Sequence, residues 1–275
     1  MGTTKRFMTR SMFAVGALLM AAPAFASDRV KLFIKDLDSP VGEVRAGAAL
    51  ALGEAGDPRA VKPLERVLND EYIDVRKAAA WSLGELGDKA AAKPLSQLLQ
   101  KDKAPAVRTA AAISLGKIAD STTADALKGA LTDADATVRS SSVESLAIVA
   151  GPSAAAAAAT LLDDGNWTVR SSALNALGAM KSAGAVDRIA LMLAHDDSEY
   201  VRANAAHSLG KIGDKSAVSA LTKAMQDDAS DRVRGEAAAA LLAMGVKDVG
   251  EYKTAEHHED APHGTVEPKD TSIEL

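Results

Sequence analysis

The 275-residue chain has no cysteine. That absence removes disulfide frameworks, thiol nucleophiles, thiolate metal sites and lipid attachment through cysteine. Stability must come from packing. Aromatic residues make up 3% of the chain, too few for a row of base-stacking platforms. There is no cationic excess either, because 32 Lys and Arg face 37 Asp and Glu for a formal charge of −5. A surface that follows nucleic-acid phosphates needs clustered Lys and Arg, so the composition points away from nucleic acid. The apolar run Met12 to Ala22 falls short of the roughly 20 residues that span a bilayer.

That run instead lies between the cations Lys5, Arg6 and Arg10 and the small-x-small sequence Ala24-Phe25-Ala26, the pattern of an export signal cleaved after Ala26. The expected organisation is a signal peptide at 1–26, a folded body at 27–246 and a tail at 247–275, with the mature protein periplasmic or secreted and free of a membrane span. Loss of the three N-terminal cations takes the formal charge from −5 to −8. The tail holds eight acids against three lysines, which leaves the body near −3. With its charge and its proline residues, the tail has the composition of a disordered segment.

The body is one unit repeated. Val-Arg recurs seven times, and the arginines Arg45, Arg76, Arg108, Arg139, Arg170, Arg202 and Arg234 follow one another at 31, 32, 31, 31, 32 and 32 residues. A fixed period of this kind denotes a solenoid. In the second unit, Val61, Leu64, Val67 and Leu68 recur at helical spacing within 58–69, which predicts an outer helix with one apolar stripe. Asp70-Glu71-Tyr72 breaks it, and a second, inner helix follows over 74–86. Counting from the repeat valine as offset 0, Val75, Ala79, Leu83 and Leu86 share one face. Leu at offset 8 and Gly at offset 9 recur as Leu52-Gly53, Leu83-Gly84, Leu115-Gly116, Leu177-Gly178 and Leu209-Gly210. Repeat four departs from the pattern with Ala147, Gly151-Pro152 and the alanine run 154–159, where a softer joint is expected, and repeat seven has Leu242 in place of the glycine.

The expected fold is therefore all-α, a solenoid of about seven stacked helical hairpins. The order of outer helix, Asp turn, VRxxAAxxLG inner helix and Gly-Asp resembles HEAT repeats, specifically the short PBS-lyase-like form, over roughly residues 28–245. In such proteins Asp and Arg form a ladder between neighbouring repeats. The resemblance implies that role here for the seven arginines together with Asp70, Asp102, Asp133, Asp164, Asp196 and Asp228, each five residues before a repeat valine. Asp38, six residues before Val44, completes the phase. Planar bidentate pairing of guanidinium with carboxylate suits a repeated junction.

Function is expected where the copies differ. Offset 6 points nearly opposite the core stripe at 100° per residue, and through the repeats it reads Leu50, Trp81, Ile113, Glu144, Asn175, His207 and Ala239. Leu50, Trp81 and Ile113 predict an apolar strip in a concave groove, flanked by Lys77, Glu54, Glu85 and Lys117. Its centre is polar, with Ser140, Ser141, Ser171 and Ser172, and Asn204 and Lys211 follow. The partner-binding candidates are Leu50, Lys77, Trp81, Ile113, Lys117, Asn175 and His207, with Trp81 as the anchor of a protein or peptide in the cell envelope. If the superhelix curls tightly, Trp81 packs into the core instead. Trp167 is expected to pack over the start of its own inner helix.

No catalytic constellation emerges. His207 has no nucleophile or orienting partner assignable from sequence, and His195 belongs to a repeat turn. His257, His258 and His263, with Glu256, Glu259 and Asp260, have metal-ligand chemistry but no regular helical spacing. No metal or cofactor is expected. The leading expectation is an exported, non-enzymatic scaffold. The alternatives are a metal or small-ligand binder using His207 or the tail histidines, and the bilin-lyase activity implied by the family resemblance, for which the chain shows no catalytic signature.

Overall fold

The computed structural model describes residues 23–247. Most of the signal segment and the tail, with its three histidines, lie outside the described residues. The body is an all-α solenoid of seven helical hairpins. The outer helices are α1 (Pro23–Asp36), α3 (Val61–Arg66), α5 (Ala92–Lys101), α7 (Ala124–Gly129), α9 (Ala155–Ala159), α11 (Val186–His195) and α13 (Val218–Asp227). The inner helices are α2 (Gly42–Ala55), α4 (Ile73–Leu86), α6 (Pro105–Ile118), α8 (Ala136–Ala150), α10 (Trp167–Ala179), α12 (Glu199–Ile212) and α14 (Asp231–Ala243). Inner helices pack extensively on the inner helices before and after them, whereas neighbouring outer helices meet much less.

Local chemistry sets the ends of each hairpin. Asp57, Asp88, Asp120 and Asp214 each accept a backbone N–H two residues on, at 2.8–2.9 Å, and start a 3₁₀ turn that leads into the outer helix. This satisfies a donor that the first turn would leave unpaired. The stretch Ala136–Asp163 is long and apolar enough in composition to cross a membrane. Here it is interrupted at Gly151, whose φ of 54° and ψ of −142° suit only glycine, and it supplies α8, the inner helix of the fourth hairpin, and α9, the outer helix of the fifth.

The core is one continuous seam. Val75, Val107, Val138, Val169, Val201 and Val233 are fully buried, as are Leu52, Leu83, Leu115, Leu146, Leu177 and Leu209 at offset 8. Val44 departs from the expected stripe, being 43% exposed. Among the described residues no inner helix precedes α2 to cover the face that the other valines press against the previous repeat. Offset 11 lies at the edge of the stripe, and Leu86 is half-buried.

The recurring glycine is explained by contact between repeats. A Cβ on Gly116 would stand 2.6 Å from Ser145 Oγ, and one on Gly84 would stand 2.5 Å from Ser114 Oγ. Offset 9 of one repeat meets offset 7 of the next. Serine at offset 7 also links the backbones, since the Ser82, Ser114 and Ser208 hydroxyls donate to the carbonyls of Ala49, Ala80 and Leu174 at 2.8–2.9 Å. Where repeat four has Ala147, its counterpart in repeat five is Ala176, so a methyl is admitted on one side and a hydroxyl is given up on the other. This pair, α8 with α10, is the least extensively packed of the consecutive inner helices.

Gly116→Ala is expected to destabilise the protein by about 2 kcal/mol, as overpacking does, and Ser145→Ala in the same chain should restore part of that loss. Denaturant unfolding of the two single variants and the double variant measures the coupling. Additive losses would count against direct contact.

Candidate functional site

The polar ladder and the concave face arise from the same helix, on different sides of it. At offset 1, Arg108 makes a bidentate pair with Asp133, through Nε to Oδ2 at 2.7 Å and Nη2 to Oδ1 at 2.6 Å. Its third donor, Nη1, bonds the carbonyl of Asp102 at 2.9 Å. The same pairing joins Arg45 to Asp70, Arg76 to Asp102, Arg139 to Asp164, Arg170 to Asp196 and Arg202 to Asp228. Each arginine thus grips the carboxylate of the following repeat and the carbonyl of its own repeat's aspartate, apart from Arg45, which takes the carbonyl of Ser39. Each of these aspartates also accepts a backbone N–H two residues ahead.

Asp38 departs from the expected phase. It is exposed and meets Arg66 at 3.2 Å, because each arginine pairs forward and no arginine of an earlier repeat is present among the described residues. At the other end Arg234 has no following repeat among the described residues. It bonds the carbonyl of Asp228 at 2.7 Å and pairs with Asp231 in its own helix.

The six ladder carboxyls sit below the ordinary carboxylate range. In Asp70 and Asp164 the arginine hydrogen bonds are the largest influence. In Asp102, Asp133, Asp196 and Asp228 burial is the largest and pushes upward, but the arginine and backbone hydrogen bonds together outweigh it.

The offset-6 side chains lie on the concave face. Leu50 is 45% and Trp81 40% exposed, Ile113 is half-buried, and Glu144, Asn175, His207 and Ala239 are exposed. Leu50, Trp81 and Ile113 stand on three successive inner helices and line a groove of ≈ 550 Å³ with Ala46, Ala78 and Ala110. Lys117 Nζ lies 3.7 Å from the centroid of the Trp81 ring and pairs with Glu85. Lys77 pairs with Asp74 at 2.8 Å. The strip is therefore apolar, with its flanking cations already engaged.

The centre of the face is less open than expected. Ser171 and Ser172 are buried and Ser140 and Ser141 half-buried, because offsets 2 and 3 lie where adjacent inner helices converge. Ser172 donates to Glu144 at 2.6 Å, whereas the Ser140, Ser142 and Ser171 hydroxyls are buried without a protein partner. His207 Nδ1 is 3.5 Å from Glu236 Oε2, too long for a hydrogen bond. His195 ends α11 and is exposed. Among the described residues no group of three or more His, Asp or Glu could hold a metal ion.

Trp167 does not cover its own helix start. It is the first residue of α10, capped by Asn166, and its ring stacks on Tyr200 of the next repeat at 5.2 Å. Arg232 of the seventh repeat lies 5.1 Å from the Tyr200 centroid. This second ladder was not legible in the sequence, since Trp167 stands two residues before its repeat valine whereas Tyr200 and Arg232 stand one residue before theirs.

The model of HEAT repeats matches residues 30–116, 67–147, 93–165 and 154–242. Comparison with curated protein sequences gives no match. Among solved structures, the complex of CpcE and CpcF of phycocyanin lyase from Nostoc sp. PCC7120 is similar at 26% identity, over 80% of this chain and 90% of that chain, with a TM-score of 0.52. The Escherichia coli protein YibA is similar at 21% identity, over 88% of this chain and 91% of that one, with a TM-score of 0.58.

Two outcomes test the ladder. Arg108→Ala strands the Asp133 carboxylate and should cost about 3 kcal/mol, whereas Arg234→Ala, at the open end, should cost about 1. Because the folded-state values are depressed, the unfolded chain binds more protons in acid. The ladder's contribution is then complete above the unfolded aspartate value of about 3.9 and is lost as pH falls through the folded values. Melting temperature should hold steady from pH 7 to about 5 and drop below 4. A midpoint that rises on acidification would contradict the pairing.

Proposed function

This chain belongs to the HEAT-repeat family, and from that premise we propose that it is an exported, non-enzymatic scaffold that binds a segment of an envelope protein on the concave face of repeats one to three. The observation that carries this reading is the row Leu50, Trp81 and Ile113, three large apolar side chains left out of the core on consecutive helices. Trp81 is its anchor, since a few aromatic residues dominate most interfaces. Lys117 covers one face of the Trp81 ring and holds it ready, which lowers the ordering cost of binding. The polar residues Asn175 and His207 continue the face toward the later repeats. Export rests on the N-terminal pattern of cations, apolar run and Ala24-Phe25-Ala26.

The phycocyanin lyase likeness supports a second reading, in which the concave face handles a chromophore. The first reading is preferred because His207, the histidine of that face, faces the Glu236 carboxylate and among the described residues pairs with no hydroxyl, so the nucleophile and base of an acyl- or group-transfer site are not assembled around it.

The test is crosslinking from the envelope fraction, with wild type and Trp81→Ala compared. Trp81→Ala should cost less than about 2 kcal/mol of stability, against the roughly 3–5 of a core aromatic, and about 2 kcal/mol or more of affinity. A partner captured equally by both proteins would sink the groove reading.

A further inference from the structure

A second cavity, of ≈ 600 Å³, opens at the carboxyl ends of α8 and α10. It lies at the one junction inside the stack where the offset-9 glycine is absent. At the other internal junctions an added Cβ would stand 2.5 to 3.1 Å from the next repeat, so the methyl of Ala147 can be housed only if α8 and α10 stand further apart. Ala147 and Ala176 form the floor of the gap, with Met180 and Ile148, the latter 65% exposed.

The rim is polarised. At one end are Glu144 and Asn175, both at offset 6, with Glu144 tied back by Ser172. At the other are Lys181, at offset 12, and Lys211, from the next inner helix. Asn175 lies within α10, whereas Lys181 lies two residues beyond its carboxyl end. Neither lysine makes an ion pair or hydrogen bond among the described residues. Lys181 also holds a φ of 50°, a conformation that favours glycine and that other repeats give at offset 12 to Gly56, Gly87, Ala119 and Gly213.

We infer that this cavity binds a small elongated organic acid, with its carboxylate between Lys181 and Lys211, an apolar body over Ala147, Ala176 and Met180, and a hydrogen-bond donor at Glu144 and Asn175. The site is separate from the Leu50–Trp81–Ile113 groove and does not depend on that reading. A pocket of this size, apolar with a few convergent polar groups, is of the kind that holds small molecules.

The probe is 8-aminooctanoate, titrated calorimetrically into the wild-type protein and three variants. Wild type should bind one equivalent saturably. Lys211→Gln and Lys181→Gly should each weaken binding about tenfold, the loss of one charge-assisted contact. Lys181→Gly keeps or raises the melting temperature, because glycine relieves the positive φ, so its effect on binding is free of a folding defect. Trp81→Ala should bind as wild type does, and octylamine, which lacks the carboxylate, should bind about tenfold more weakly. The proposal is overturned if wild type shows no saturable binding, or if the lysine variants or octylamine bind as well as wild type with 8-aminooctanoate.

Discussion

A planar guanidinium held by a carboxylate in one repeat and a carbonyl in another fixes a distance and an angle at once. In this solenoid that geometry recurs from Arg45 to Asp228, with every paired side chain largely withdrawn from water. Such pairs offset the cost of their own desolvation only when the geometry is good. Their main effect is to set how each hairpin sits on the next. The contact of offset 9 with offset 7 supplies a second fixed point further along the same helices, where Gly84 meets Ser114 and Gly116 meets Ser145. Two constraints, one polar and one steric, at every internal junction but that of α8 with α10 leave little freedom in the superhelix.

Once the stack is set, each offset along the inner helix becomes a row in space. Rows that serve the junction vary little from copy to copy. Offset 6 takes no part in the Arg–Asp ladder or in the contact of offset 9 with offset 7, so it can change from Leu50 and Trp81 to Glu144, Asn175 and His207 while both are kept. The concave face thereby acquires an apolar end and a polar end, separated by repeat four. That repeat also breaks the steric rule, with Ala147 against Ala176, and the cavity with the lysine-lined rim opens there. Departures from the consensus have a structural cost at that joint and a chemical consequence beside it.

Reading the sequence alone located the repeats, both helices of each hairpin, the core valines and leucines and the exposed row, because these follow from a period of 31 or 32 residues and a helical repeat of 3.6. It misplaced Val44, Asp38 and Trp167. The first two belong to the first described repeat, which has a neighbouring repeat on one side only among the described residues. Trp167 stacks on Tyr200, a partner 33 residues away at a different offset, so no periodicity could reveal it.

What the sequence determined by itself was everything that repeats: fold class, the phase of the ladder and the row that faces the groove. The tertiary structure decided the direction and the exceptions. It showed that each arginine reaches forward to the next repeat, that Ser171 and Ser172 are drawn between converging helices, and that the α8 and α10 junction stands open. These depend on the distance between helices, which a one-dimensional pattern does not contain.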